Sequence, residues 1–167
     1  MEARGSRSHG THVSGIVAAE AGNGGILGVA SGGVTTRANS IADLVVIDAF
    51  SKKSWDSRSG TWTANGTVYD VIFALGYARD VGCKVVNMSL GFDVYDEDLA
   101  QCFEELCCEL TDKNDMLIVA AAGNSGVNRK SIPASCESVI GVISLTHRAN
   151  ANPNRGSVSS ASWITGE

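Results

Sequence analysis

KVVNMSLGFDVYDEDLAQCFEELCCELTDKNDMLIVAAAGNSG, residues 84–126, is the stretch that decides the fold. It opens on a short apolar run, Lys84–Met88, that stops at the Ser-Leu-Gly turn of residues 89–91. It closes on a second run, Met116–Ala122, that stops at Gly123-Asn124-Ser125-Gly126. Apolar runs of this length bounded by turn residues read as buried strands. Between them Asp96, Glu97 and Asp98 put negative charge where a helix N-terminus gains from it, and Leu99, Phe103, Leu106 and Leu110 follow at helical spacing. Strand, helix, strand is the repeating unit of a parallel sheet.

The same alternation extends in both directions. Upstream, Val68, Val71, Ile72, Leu75 and Ala78 predict an amphipathic helix that Gly82 ends, and Ala42–Phe50 (ADLVVIDAF) predicts a further buried strand. Ser51–Gly66 reads as a polar loop. From Gly10 to about Ala21, Val13, Ile16, Val17 and Ala18 mark a helix face, broken by Gly22, Gly24, Gly25 and Gly28. Downstream, Ser138–Leu145 predicts a fourth strand, and from Thr146 the chain is polar and weakly patterned. The expected architecture is a three-layer α/β/α fold with a mainly parallel sheet, whose sites lie at the carboxyl ends of the strands.

Composition narrows the function. With 167 residues, 44% of them hydrophobic, the chain can bury one core of ordinary size, so one domain is expected. Nineteen glycines against two prolines, without a collagen period, point to tight turns and close backbone approaches. A net charge of −5 disfavours nucleic acid and anionic lipid as partners. No apolar run approaches the roughly 18 residues of a membrane span, and the first residues lack the apolar core of a signal peptide, so the sequence assigns no membrane segment and no compartment. Nine of the eighteen acids lie between Asp93 and Asp115, with only Lys113 opposing them. That run reads as a solvated helix face, with an acidic interaction surface as the alternative. Cys83, Cys102, Cys107, Cys108 and Cys136 form no CxxC pair, so a zinc site is not expected and buried, inert thiols are. On a helix Cys107 and Cys108 point about 100° apart, which bars both from one tetrahedral ion.

Three segments carry chemistry. Ser8-His9-Gly10-Thr11-His12-Val13-Ser14-Gly15 places His9 at the expected mouth of a helix, where an imidazole with an ordinary pKa near 6.5 suits proton transfer. A capping role for His9 is the alternative. Val85-Val86-Asn87-Met88-Ser89-Leu90-Gly91 is a strand whose backbone could pair with an extended peptide. Ala120-Ala121-Ala122-Gly123-Asn124-Ser125-Gly126 brings the backbone close to whatever binds, and the Asn124 amide could hold a developing oxyanion; alone, it reads equally as a turn asparagine.

Together and in this order the three segments resemble the subtilases, the subtilisin-like serine endopeptidases. HGTHVSG looks like the family's histidine motif, with His9 as catalytic base. VVNMSLG looks like its substrate-binding strand, with Ser89, Leu90 and Gly91 lining the non-primed subsites. AAAGNSG looks like its oxyanion-hole motif, with Asn124 as donor and Ala122 and Gly123 bordering the S1 pocket. The resemblance is strongest over residues 8–145, includes Gly24–Ala30 and Ile132-Pro133-Ala134, where the family commonly has a cis proline, and leaves 146–167 as a tail. It implies hydrolysis of extended polypeptides by a Ser-His-Asp triad and an extracellular or secretory setting. Calcium is the family's usual metal, and Glu20–Ile26 matches its loop in length, but the side-chain oxygen expected near Gly22 is absent, so a plain glycine turn is expected.

The sequence also departs from the pattern. The family orders its triad Asp, His, Ser, and residues 1–8 leave no room for the Asp segment. Asp48 follows His9 and lacks the Thr-Gly expected after the triad aspartate, so it reads as a decoy. No Gly-Thr-Ser-Met-Ala stretch occurs, and Ser157, Ser159, Ser160 and Ser162 lie in the polar tail. The expectation is a partial catalytic domain, inactive by itself. The alternative is a subtilase-like module that binds extended peptides without cutting them.

Overall fold

A computed structural model describes residues 4–31, 42–50, 52–57, 60–93, 96–123 and 131–143. The chain divides into two compact units, Met1–Gly76 and Tyr77–Glu167.

In the first unit, helix α1 (Arg4–Ala18) ends as the chain turns through Gly22 and Gly24, both at positive φ (78° and 77°). Gly28 then returns onto the helix end, its N–H donating to Ala19 O at 2.9 Å. A Cβ at Gly28 would stand 2.6 Å from Ala18 Cα, so only glycine permits the approach. Strands β1 (Lys52–Asp56) and β2 (Thr61–Asn65) form an antiparallel hairpin against which α1 packs.

Two sequence expectations need correction here. Residues 51–66 were expected to be a loop, yet they contain this hairpin: the Lys-Ser-Trp and Thr-Trp-Thr stretches carry β-forming residues, and Gly60 (φ 64°) supplies the turn between them. Ala42–Phe50, expected as a strand, joins no ladder, and Leu44, Val45 and Val46 are exposed. Asp48 Oδ1 accepts from Phe50 N at 3.2 Å, a local turn that competes with strand pairing.

Helix α2 (Val68–Asp80) runs from the first unit into the second. It starts on a reciprocal cap, Thr67 N donating to Asp70 Oδ2 at 2.7 Å and Asp70 N to Thr67 Oγ1 at 3.2 Å. It ends at Gly82 as read, at φ 83°, with Gly82 N bonded to Arg79 O and Cys83 N to Ala78 O, the paired closure that a left-handed glycine allows. Val71, Leu75 and Ala78 are buried.

The second unit holds β3 (Val85–Met88), β4 (Phe92–Asp93), α3 (Glu97–Asn114), β5 (Leu117–Ala121), β6 (Ser131–Ile132) and β7 (Val139–Val142). β3, β5 and β7 form a parallel sheet in that order, with Val85 opposite Leu117 and Ile118 opposite Val139. One face is core: Met88, Ile118, Ala120 and Val139 are buried, as are Phe103, Cys107 and Leu110 on α3, which packs on β5. Val85, Leu117, Ile140 and Val142, pointing the other way, are exposed. Asp96 caps α3, its side chain accepting from Leu99 N at 3.1 Å. Asp115, in the left-handed region at φ 55°, ends it. Glu97, Asp98, Glu105, Glu109 and Asp112 are exposed along α3, as a solvated face should be. Among the described residues no helix is long and apolar enough to cross a membrane.

The thiols differ from the reading of five buried cysteines. Cys107 and Cys136 are buried, Cys83 and Cys108 are half-buried, and Cys102 is exposed. Cys102 lies on the solvent side of α3 because it precedes Phe103, which the helical period turns inward.

Candidate active site

The carboxyl end of the parallel sheet gathers two of the three sequence segments. β3 stops at Met88, and Ser89–Gly91 continues outside any strand. Asn87 Nδ2 donates to Ser89 Oγ at 3.0 Å, which steadies the start of this segment. Ser89 and Leu90 are half-buried and Gly91 is exposed. Directly after Gly91, β4 pairs antiparallel with β6, Phe92 opposite Ile132, and Ser131 Oγ donates to Phe92 O at 3.3 Å.

On the neighbouring strand, β5 runs into Ala122 and Gly123. Ala122 is buried, and its N–H donates to Val142 O at 2.9 Å, which extends the β5–β7 ladder by one bond. Gly123 is exposed and lies at φ 91°, a conformation that glycine adopts without strain. A Cβ on Gly91 would stand 2.9 Å from Ser131 Oγ and 4.0 Å from Ala121 O, so the Ser89–Gly91 segment passes close to the end of β5. Gly91 and the end of β5 thus lie side by side where parallel sheets place their ligands. Asn124 lies outside the described residues. The Ile132–Pro133 bond is cis, and the turn after it is closed by Ser135 N on Ser131 O (3.0 Å) and Cys136 N on Pro133 O (2.9 Å).

His9 belongs to the first unit. It is exposed on α1, with His12 exposed three residues later. The helix starts at Arg4, so His9 stands in its second turn and not at its mouth; no proline precedes it to delay the start. Asp48, read as a decoy, serves its own turn through Phe50 N.

The loop that matches the family's calcium loop does not fit the ion. Asn23 Oδ1 accepts from Gly25 N at 2.7 Å and its Nδ2 donates to Ile26 O at 3.3 Å, so the side chain closes the turn on itself. Calcium needs six to eight oxygens. Among the described residues no three His, Cys, Asp or Glu side chains are grouped to hold a metal.

Sequence reasoning missed Ser131 and the β4–β6 ladder that backs Gly91. The partners lie about forty residues apart, and strands of two residues leave no periodicity to read.

The chain matches the Subtilase family over residues 2–166. It is 37% identical over 136 residues to the thermophilic serine proteinase of Bacillus sp. (strain AK1), covering 81% of this chain and 28% of that protein. It is 35% identical over 143 residues to thermitase of Thermoactinomyces vulgaris, covering 85% and 43%. The crystal structure of the psychrophilic subtilisin-like protease Apa1 from the Antarctic psychrotroph Pseudoalteromonas sp. AS-11 resembles it with a TM-score of 0.55 and 30% identity, over 81% of this chain and 26% of that one. The chain therefore spans less than half the length of these relatives.

Proposed function

Because this chain belongs to the subtilase family of serine proteases, we propose that it supplies the base, the oxyanion donor and the substrate-binding strand of a serine endopeptidase. In this reading an extended polypeptide lies along Ser89–Gly91 with its side chain directed to a pocket bordered by Ala122 and Gly123. The triad serine attacks the scissile carbonyl, His9 takes its proton and returns it to the leaving amine, and the triad aspartate orients the His9 ring. The Asn124 amide donates to the oxygen as it becomes negative. The family motifs for the serine and the aspartate do not occur in these 167 residues, so the 167-residue chain alone performs no turnover.

The observation that supports this reading is the approach of Gly91 to the end of β5, in a chain that matches the family almost throughout. The test is hydrolysis of a denatured protein substrate by the polypeptide that carries this sequence together with the triad serine and aspartate. Asn124→Ala should lower kcat roughly 100- to 1000-fold with KM little changed, a range measured on a subtilisin itself. His9→Ala should abolish most of the remaining rate. Wild-type turnover in both variants would refute the assignment, and peptide binding without cleavage in the parent would favour a binding module.

A further inference from the structure

In the second unit a chain of hydrogen bonds runs from α3 to the segment that follows β3, by way of the turn Ser131–Val139. The turn closes on itself. Ser131 O accepts from both Ser135 N and Ser135 Oγ at 3.0 Å, Cys136 N donates to Pro133 O at 2.9 Å, and Val139 N to Cys136 O at 3.1 Å. Ile132, Ala134 and Cys136 are each 4% exposed, and Pro133 is buried. A short segment bonded to itself and packed in this way moves as a unit.

Both ends of the turn are tied to other elements. At its front, Ile132 and Ser131 pair with Phe92 and Asp93, and Ser131 Oγ donates to Phe92 O at 3.3 Å. The same hydroxyl oxygen stands 2.9 Å from where a Cβ on Gly91 would be. At its back, Glu137 N donates to Glu104 Oε1 at 2.9 Å, across 33 residues of sequence. Glu104 is half-buried on α3, and Cys108 Sγ donates to the same oxygen at 3.6 Å, a second bond that steadies the carboxylate.

We propose that Glu104 and Ser131 are positioning residues: they fix the two ends of this turn so that it braces Ser89–Gly91 for an extended peptide. The proposal rests on the docking of peptide along Ser89–Gly91 put forward above. That segment belongs to no strand, so its place depends on the ladder that begins at Phe92. Glu104 acts through the turn, and Ser131 through Phe92 O. Removing the carboxylate lets the back of the turn shift, and removing the hydroxyl uncouples its front. A peptide must then order the segment as it binds, which weakens binding and leaves the bound geometry as it was.

The test uses the polypeptide that carries this sequence together with the triad serine and aspartate, and reads amide hydrogen exchange beside peptide hydrolysis. Glu104→Ala and Ser131→Ala should each speed exchange over residues 89–93 about 2- to 10-fold and raise KM by a similar factor, with kcat little changed. That range is what the loss of one ordinary hydrogen bond gives. Exchange over α2 should stay at the parent rate. Glu104→Gln keeps an acceptor for Glu137 N and should restore both readouts. The double variant should do no more than the stronger single one, because both changes break the same path. Exchange over 89–93 at the parent rate in Glu104→Ala, or an equal acceleration over α2, would overturn the proposal. Faster exchange over 89–93 with KM unchanged would uphold the brace and refute the docking of peptide there.

Discussion

Gly28 and Gly76 show how differently one residue type can act. Gly28 meets the backbone of Ala18 and Ala19, which cannot yield without unwinding the end of α1. Gly28→Ala should therefore cost about 1–3 kcal/mol, as overpacking does. Gly76 lies inside α2 with nothing within 4 Å of where its Cβ would be, so Gly76→Ala should add about 0.5–1 kcal/mol through helix propensity and a more restricted unfolded chain. Urea unfolding of the two variants beside the parent checks both signs. At this scale, the sequence makes Ser89–Gly91 and Ala122–Gly123 legible because each follows a strand directly. It hides Ser131 behind Gly91, because a contact between distant segments has no local signature.

At the scale of elements, α2 and α3 are each legible from one end. The negative charges at 96–98 announce the start of α3, and Gly82 announces the end of α2. Asp96→Ala removes the acceptor for Leu99 N and should destabilise by about 1 kcal/mol. Asp115→Gly should stabilise by about 0.5–1 kcal/mol, because glycine takes the left-handed conformation without a Cβ clash. The exposed Lys84–Asp115 pair lost in that change, at 3.5 Å, contributes little. Thermal melts of the two variants should move in opposite directions, and parallel movement would contradict the cap assignments. The strands are less uniformly legible. β3, β5 and β7 emerge from apolar runs, but Ala42–Phe50 has an equally apolar run and no ladder. Apolarity alone specifies neither, since Leu44, Val45 and Val46 are exposed, and pairing depends on a partner that the run does not name.

For the whole molecule, the parallel α/β architecture expected from alternating strands and helices is the one found, and its likeness to a subtilisin-like protease places it with three-layer α/β/α folds. Parallel sheets are ordinarily covered on both faces. Here Val85, Leu117, Ile140 and Val142 leave one face of the sheet open to solvent, with exposures of 63%, 46%, 51% and 51%. The 167-residue chain should therefore bind a hydrophobic dye in native buffer and self-associate as its concentration rises. Dye fluorescence no greater than that of a stable globular control, with a concentration-independent sedimentation coefficient, would contradict this.

The junction between α3 and β5 sets a limit on how this chain can vary. Only Asp115 and Met116 separate the last helical residue from the first residue of the strand, and Leu117 N is already committed to Lys84 O at 2.8 Å. A single inserted residue has no slack in which to disappear. If it shifted β5 along its neighbours, Ile118 and Ala120 would trade sides with Leu117 and Val119, turning the interior outward in one step. Length variation among relatives should thus collect elsewhere, and an alignment that opens a gap at 115–116 would be misplaced.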